Sequence, residues 1–184
     1  MVSLTALWLP ILLSAVLTFF ASSLIHMVLG WHAGDWKKFP SEDAVLDALR
    51  SFNLAPADYV APLPTSRAEM STPEFKAKVA RGPRVTLTVL PPENSMPRNL
   101  VLWFLYSIVV AVFAAYVASM TLAPGAPYLT VFRVTSTVAF AGYALALWQS
   151  WVWYSRSLGY TIRSTIDGLV YGLLTGGAFG WLWP

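Results

Sequence analysis

The chain has 184 residues, 57% of them hydrophobic and only 11% charged, against roughly 25% charged in a soluble domain; this excludes an ordinary soluble protein and indicates several membrane spans. A net charge of +3 is no nucleic-acid signature, because the bases are interleaved with acids and no RNA- or DNA-binding motif accompanies them. Cysteine is absent, which excludes disulfides, thiolate metal sites and cysteine nucleophiles.

The first apolar run, Leu4 to Gly30, exceeds the ~20 residues a bilayer needs. It reads as a transmembrane helix and not as a signal peptide, since no Lys or Arg precedes Lys37. Ser14, Thr18, Ser22 and His26 recur every fourth residue, so one face is small and polar and should meet protein.

Residues 31–98 hold eight of the nine acids and nine of the twelve bases, a balance that suits a folded or semi-folded module. Ser41, followed by Glu42 and Asp43, predicts a helix start, and Val45, Ala48, Leu49 and Phe52 share its apolar face. Thr72 and Pro73 predict a second start, and Gly82 closes that helix after Lys76, Lys78 and Arg81. Arg84–Leu90 alternates and is β-branched, which predicts a short strand or one arm of a hairpin.

The second span is expected over Asn99–Leu122, with Ser107, Ala111, Ala115 and Ser119 as its small row. After the turn Ala123–Pro127, the third span runs from Tyr128 to Trp151. Thr135, Ala139, Gly142 and Ala146 form its small face, and tryptophans crowd its end. Arg156–Arg163 reads as a short basic turn. The last span carries Gly168, Gly172, Gly176 and Gly180 at i+4 spacing, with Ser164 extending the row. In water each glycine costs a helix up to ~1 kcal/mol relative to alanine. A glycine zipper of this length therefore predicts close backbone approach by another helix. The expected clasping helices are the first and second spans, a second copy, or a foreign helix.

The fold class that follows is all-α: four transmembrane helices with an insert of short helices, and one strand or hairpin, between spans one and two. Residues 1–30 form the first helix, 31–98 a cytoplasmic polar module, and 99–184 the other three helices, which share one membrane domain with the first. Eleven of the twelve bases fall on one side of this arrangement. The positive-inside rule puts that side in the cytoplasm and both termini in the periplasm.

Asp167 is the only carboxylate well inside a span, and such residues need a partner. Arg163 at i−4 is the expected one. His26 and Gln149 lie at similar depth, and with Arg163, Asp167 and Tyr171 they define a candidate polar site for an ion, a lipid headgroup or a cofactor edge. His26 and His32 are six residues apart, about 240° around a helix. They do not converge on a continuous helix, even with Asp35 nearby. No metal site and no cofactor are predicted, although either histidine leaves room for a pigment or haem contact. Arg133 has no acid near it. Its expected partner is lipid phosphate, with the Pro184 carboxylate second. No catalytic residue, phosphate loop or nucleophile elbow is present.

The stretches HMVLGWHAGDWKKFPSEDAVLDALR (26–50), RGPRVTLTV (81–89), Asn99-Leu100-Val101 and DGLVYGLLTGGAFGWLWP (167–184) resemble an uncharacterised family of small bacterial four-span inner-membrane proteins. That resemblance implies a bacterial source and carries over no activity. The small faces on all four spans predict an accessory or scaffold subunit, homo-oligomeric or within a larger membrane complex, whose partners are the lipid bilayer and itself or other membrane subunits. A small channel or carrier is the alternative, and a membrane enzyme using the inner-leaflet cluster is a third reading. Each has its own mark: protein over the small faces, a continuous polar lumen, or a pocket converging on His26 and Asp167.

Overall fold

In lipid a backbone must satisfy its own polar groups, so apolar runs of this length become helices. The computed structural model describes all 184 residues. In chain order the helices are α1 (Trp8–Ser23), α2 (Glu42–Ser51), α3 (Pro73–Arg81), α4 (Met96–Thr121), α5 (Tyr128–Phe140), α6 (Leu147–Tyr154) and α7 (Leu158–Trp181), and the strands are β1 (Ala57–Ala61) and β2 (Val85–Val89). A π turn, Leu24–Val28, extends α1, and another, Ala141–Leu145, joins α5 to α6. The chain divides into a helical unit, Met1–Lys37 with Met96–Pro184, and an inserted unit, Lys38–Ser95. Residues 31–37, polar enough to read as part of the module, belong to the helical unit.

Three helical stretches are long and apolar enough to cross a membrane: Leu4–Val28, Met96–Thr121 and Tyr128–Tyr154. Helix α7 has 24 residues, but its glycines, threonines, Arg163 and Asp167 make it less apolar. In the helical unit α1 lies between α4 and α7, and α5 also lies between α4 and α7, which closes a ring of four rods. One end gathers Val2, Leu7, Val131 and Phe179 around the buried alanines Ala111 and Ala115. There the Trp183 indole N–H donates to the Ala123 carbonyl at 3.0 Å. The Gly125 amide donates to the Pro184 oxygen at 2.6 Å. The other end holds the π turn of α1, the start of α4 and the start of α7.

The glycine row of α7 faces α5 and the π turn after it, not α4. A β-carbon on Gly168 would lie 2.8 Å from Ala144 Cβ, one on Gly172 3.0 Å from the Ser136 carbonyl, and one on Gly180 2.8 Å from the Tyr128 ring. Ser164 is half-buried at the edge of this row. The rows on α1 and α4 also turn inward: Ser14, Thr18, Ser22, Ser107, Ala111, Ala115 and Ser119 are all buried. All three rows are therefore filled within one chain.

The third span departs from its expected small face. Thr135 and Ala139 are buried, but the face then passes to Tyr143 and Ala144, while Gly142 and Ala146 are exposed. The π turn inserts an extra residue and rotates everything after it. It also frees the Gly142 carbonyl, which accepts from the Tyr106 hydroxyl at 2.7 Å.

In the inserted unit β1 and β2 pair antiparallel, with Tyr59 opposite Leu87. The Thr72 hydroxyl caps α3 by accepting from the Phe75 amide at 3.2 Å, and Gly82 ends it with φ 58°. Ser41 precedes α2 but makes no side-chain cap, its backbone standing at φ −128°, ψ 70°. No residue of this unit is buried.

Candidate functional site

Gly30 decides the local chain path. It ends the π turn of α1 with φ +61°, a backbone shape that glycine adopts without strain. The chain turns back, and the ring of His32 stacks on that of His26 with centroids 4.4 Å apart and planes 22° from parallel. Tyr160 of α7 meets the other side of His32 edge-on at 6.3 Å. The expectation that the two histidines stay apart assumed one continuous helix; the helix stops between them and they converge.

His32 then lies between two carboxylates. Its Nδ1 is 2.5 Å from Asp35 Oδ2 and its Nε2 is 2.7 Å from Asp167 Oδ2. His26 Nε2 stands 3.9 Å from the same Asp167 oxygen. The Asp35 side chain is 1% exposed, and Arg163 of α7 donates to its other oxygen. Arg163 thus pairs with Asp35 and not with Asp167 one turn away. Both carboxylates are buried, at 1% and 6% side-chain exposure, and each has a partner: Asp35 has Arg163 and His32, and Asp167 has His32; an unpaired buried carboxylate would be costly. Arg163 itself lies in the second turn of α7, because the Ser157 hydroxyl accepts from the Tyr160 amide at 3.4 Å and starts the helix there. The basic turn therefore shrinks to Ser155–Ser157.

Two other candidates stand apart. Gln149 is exposed on α6 and makes no contact with the cluster. Arg133 is exposed and forms no ion pair; Pro184, the second of its two expected partners, accepts from Gly125 instead.

A cavity of about 440 Å³ opens beside the cluster, lined by His26, Asp167, Trp103, Tyr143 and Tyr171 among others. Its walls are mostly apolar. Tyr171 is 4% exposed, and its hydroxyl sits beside Ser22 without closing a hydrogen bond. The buried indole N–H of Trp103 also lacks a partner, and the two rings meet at 5.8 Å. Buried donors are seldom left unused. Both residues line the same cavity.

Toward the other end most inward hydroxyls are used locally, Thr18 excepted. The hydroxyls of Ser14, Thr135, Thr175 and Ser119 donate to carbonyls of their own helices at 2.8–3.0 Å. Sequence reasoning weighed His32 and Asp35 and set them aside on helical periodicity, and it did not single out Trp103 or Tyr143. The usable signal was Gly30, a glycine at a helix end, which releases later residues from the angular bookkeeping of that helix.

No family model matches this chain, and comparison with curated proteins and with solved structures gives no match either.

Proposed function

We propose that this is a four-span bacterial inner-membrane protein that binds the polar head of a membrane-soluble amphiphile in the cavity beside His26 and Asp167. The observation that carries the reading is a mostly apolar cavity wall that includes Tyr171 and Trp103, whose donors have no partner. An apolar wall suits the body of an amphiphile, and the donors suit acceptor oxygens on its head. Support for α7 as the fourth span comes from its length, roughly 36 Å against a hydrocarbon core of about 30 Å. Its two charges sit near one end, and each has a partner there. The charge distribution supports placing that end in the cytoplasm and both termini in the periplasm.

A channel would need a polar path through the other half, where the hydroxyls of Ser14, Thr135, Thr175 and Ser119 are tied to their own helices. The accessory-subunit role loses its first premise, since the small faces are filled internally. It remains the second reading on a different ground: no residue of Lys38–Ser95 is buried, and such a segment gains a core by docking on a partner.

Gentle detergent extraction followed by mass analysis separates the two. The expected result is a lipid-soluble small molecule retained by the wild type and depleted in Tyr171→Phe and Trp103→Phe. A stoichiometric foreign subunit with no small molecule, or a small molecule held equally well by both variants, overturns the reading.

A further inference from the structure

His32 poses a problem of proton count. A neutral imidazole carries one N–H, yet both of its nitrogens face carboxylate oxygens, at 2.5 and 2.7 Å. If Nδ1 donates to Asp35, Nε2 turns a lone pair toward Asp167, and either a second proton or a metal ion belongs between them. His26 directs a third donor at the same place. One ligand atom from each of His26, His32 and Asp167 lies within 4.8 Å of the other two.

From this geometry we infer that His26, His32 and Asp167 ligate a divalent transition-metal ion. Metal–nitrogen bonds of ~2.1 Å put the donors of a tetrahedral site roughly 3.4 Å apart. The distances of 2.7 and 3.9 Å to the shared Asp167 oxygen bracket that value. Two imidazoles and one carboxylate suit zinc or iron(II). They are too few in oxygen for magnesium or calcium and lack the thiolate that favours copper(I). The surroundings are also those of a metal site. Asp35 accepts from His32 Nδ1, which fixes the tautomer that leaves Nε2 free to ligate, and Arg163 holds Asp35 in turn. His26 and Asp167 line the cavity, so the remaining coordination positions open toward the amphiphile's head. The inference deepens the proposed function and rests on that cavity being a working site.

The test uses the full-length protein in detergent, stripped of metal with a chelator and titrated calorimetrically with Zn²⁺ and, separately, with Mg²⁺. One equivalent of Zn²⁺ binds, and Mg²⁺ at the same concentrations does not. His26→Gln and Asp167→Asn each weaken Zn²⁺ binding at least tenfold, and Asp35→Asn weakens it by roughly 10–100-fold. The His26 side chain is 45% exposed, so His26→Gln retains the metal-free melting curve and serves where Asp167→Asn fails to fold. No saturable Zn²⁺ binding to the wild type, or unchanged binding to His26→Gln, overturns the inference. The same preparations are extracted for bound amphiphile. Loss of Zn²⁺ binding alone, with a Tyr171-dependent amphiphile still present, sinks the metal site and leaves the cavity reading standing. Absence of both sinks the two together.

Discussion

Gly176 offers a sharp test of how α7 is held. A β-carbon there would stand 2.8 Å from Ser136 Cβ, 2.9 Å from the Phe132 carbonyl oxygen and 3.0 Å from the Phe132 ring. The ring can swing aside; the carbonyl belongs to the backbone of α5 and cannot. Restoring an ordinary 3.4 Å contact to that oxygen moves α5 outward by 3.4 − 2.9 = 0.5 Å, which loosens the neighbouring approaches at Gly172 and Gly180. Overpacking of this kind costs about 1–3 kcal/mol, offset by up to ~1 kcal/mol of better helix propensity. The net range is about 0–3 kcal/mol, and Gly176→Ala is expected near its middle, at about 1–2 kcal/mol of destabilisation. Gly177 is the internal control, because its β-carbon would meet only the Tyr128 hydroxyl, at 3.9 Å. Gly177→Ala is neutral or slightly stabilising. Reversible unfolding in mixed micelles, followed by tryptophan fluorescence, measures both. Equal midpoints for the two variants would refute the claim that backbone contact with α5 holds this face.

Removal of the Arg163 charge leaves Asp35 buried with His32 as its one remaining partner. Breaking a buried pair costs about 3–5 kcal/mol. Arg163 is 29% exposed, so Arg163→Gln is expected at the lower end of that range, with part of the loss recovered by adding Asp35→Asn. Wild-type stability in Arg163→Gln refutes the pairing. In the inserted unit the Thr65 hydroxyl and then the Thr65 amide hold the Glu69 carboxyl below its ordinary value of 4.5, at 2.5 and 2.6 Å. A depressed folded value means the contribution is complete above the unfolded value and is lost as pH falls through the folded one. Thr65→Ala therefore moves the Glu69 titration upward toward 4.5 in carbon-detected spectra of the full chain; no movement excludes the hydroxyl's role.

Much of the helical unit is legible in residue spacing because long apolar runs leave the backbone few choices. The inward rows on α1, α4 and α7 follow from size alone, since small residues let rods approach closely. Spacing did not reveal which rod fills which groove. Gly172, Gly176 and Gly180 meet α5 itself and Gly168 meets the π turn at Ala141–Leu145, and no local composition announces that pairing. The site was half legible. Asp167 and Arg163 draw attention as charges in an apolar run, and His26 by its depth. Their true partners, His32 and Asp35, stand in a polar segment where charge is unremarkable. A single left-handed glycine carries them back into the bundle. Periodic arguments hold only while the helix holds, and Gly30 is where this one ends.

The charged knot joins parts of the chain that are made at different times. Asp35 and Arg163 are 128 residues apart, and the inserted unit lies between them. At ~5–20 residues per second, a ribosome exposes the first roughly 6–25 s before the second. Throughout that interval Asp35 has His32, three residues away, as its partner and lacks its arginine. Arrival of the last rod neutralises the acid and seats the loop in one event. A chain cut short before α7 therefore leaves Asp35 without its arginine.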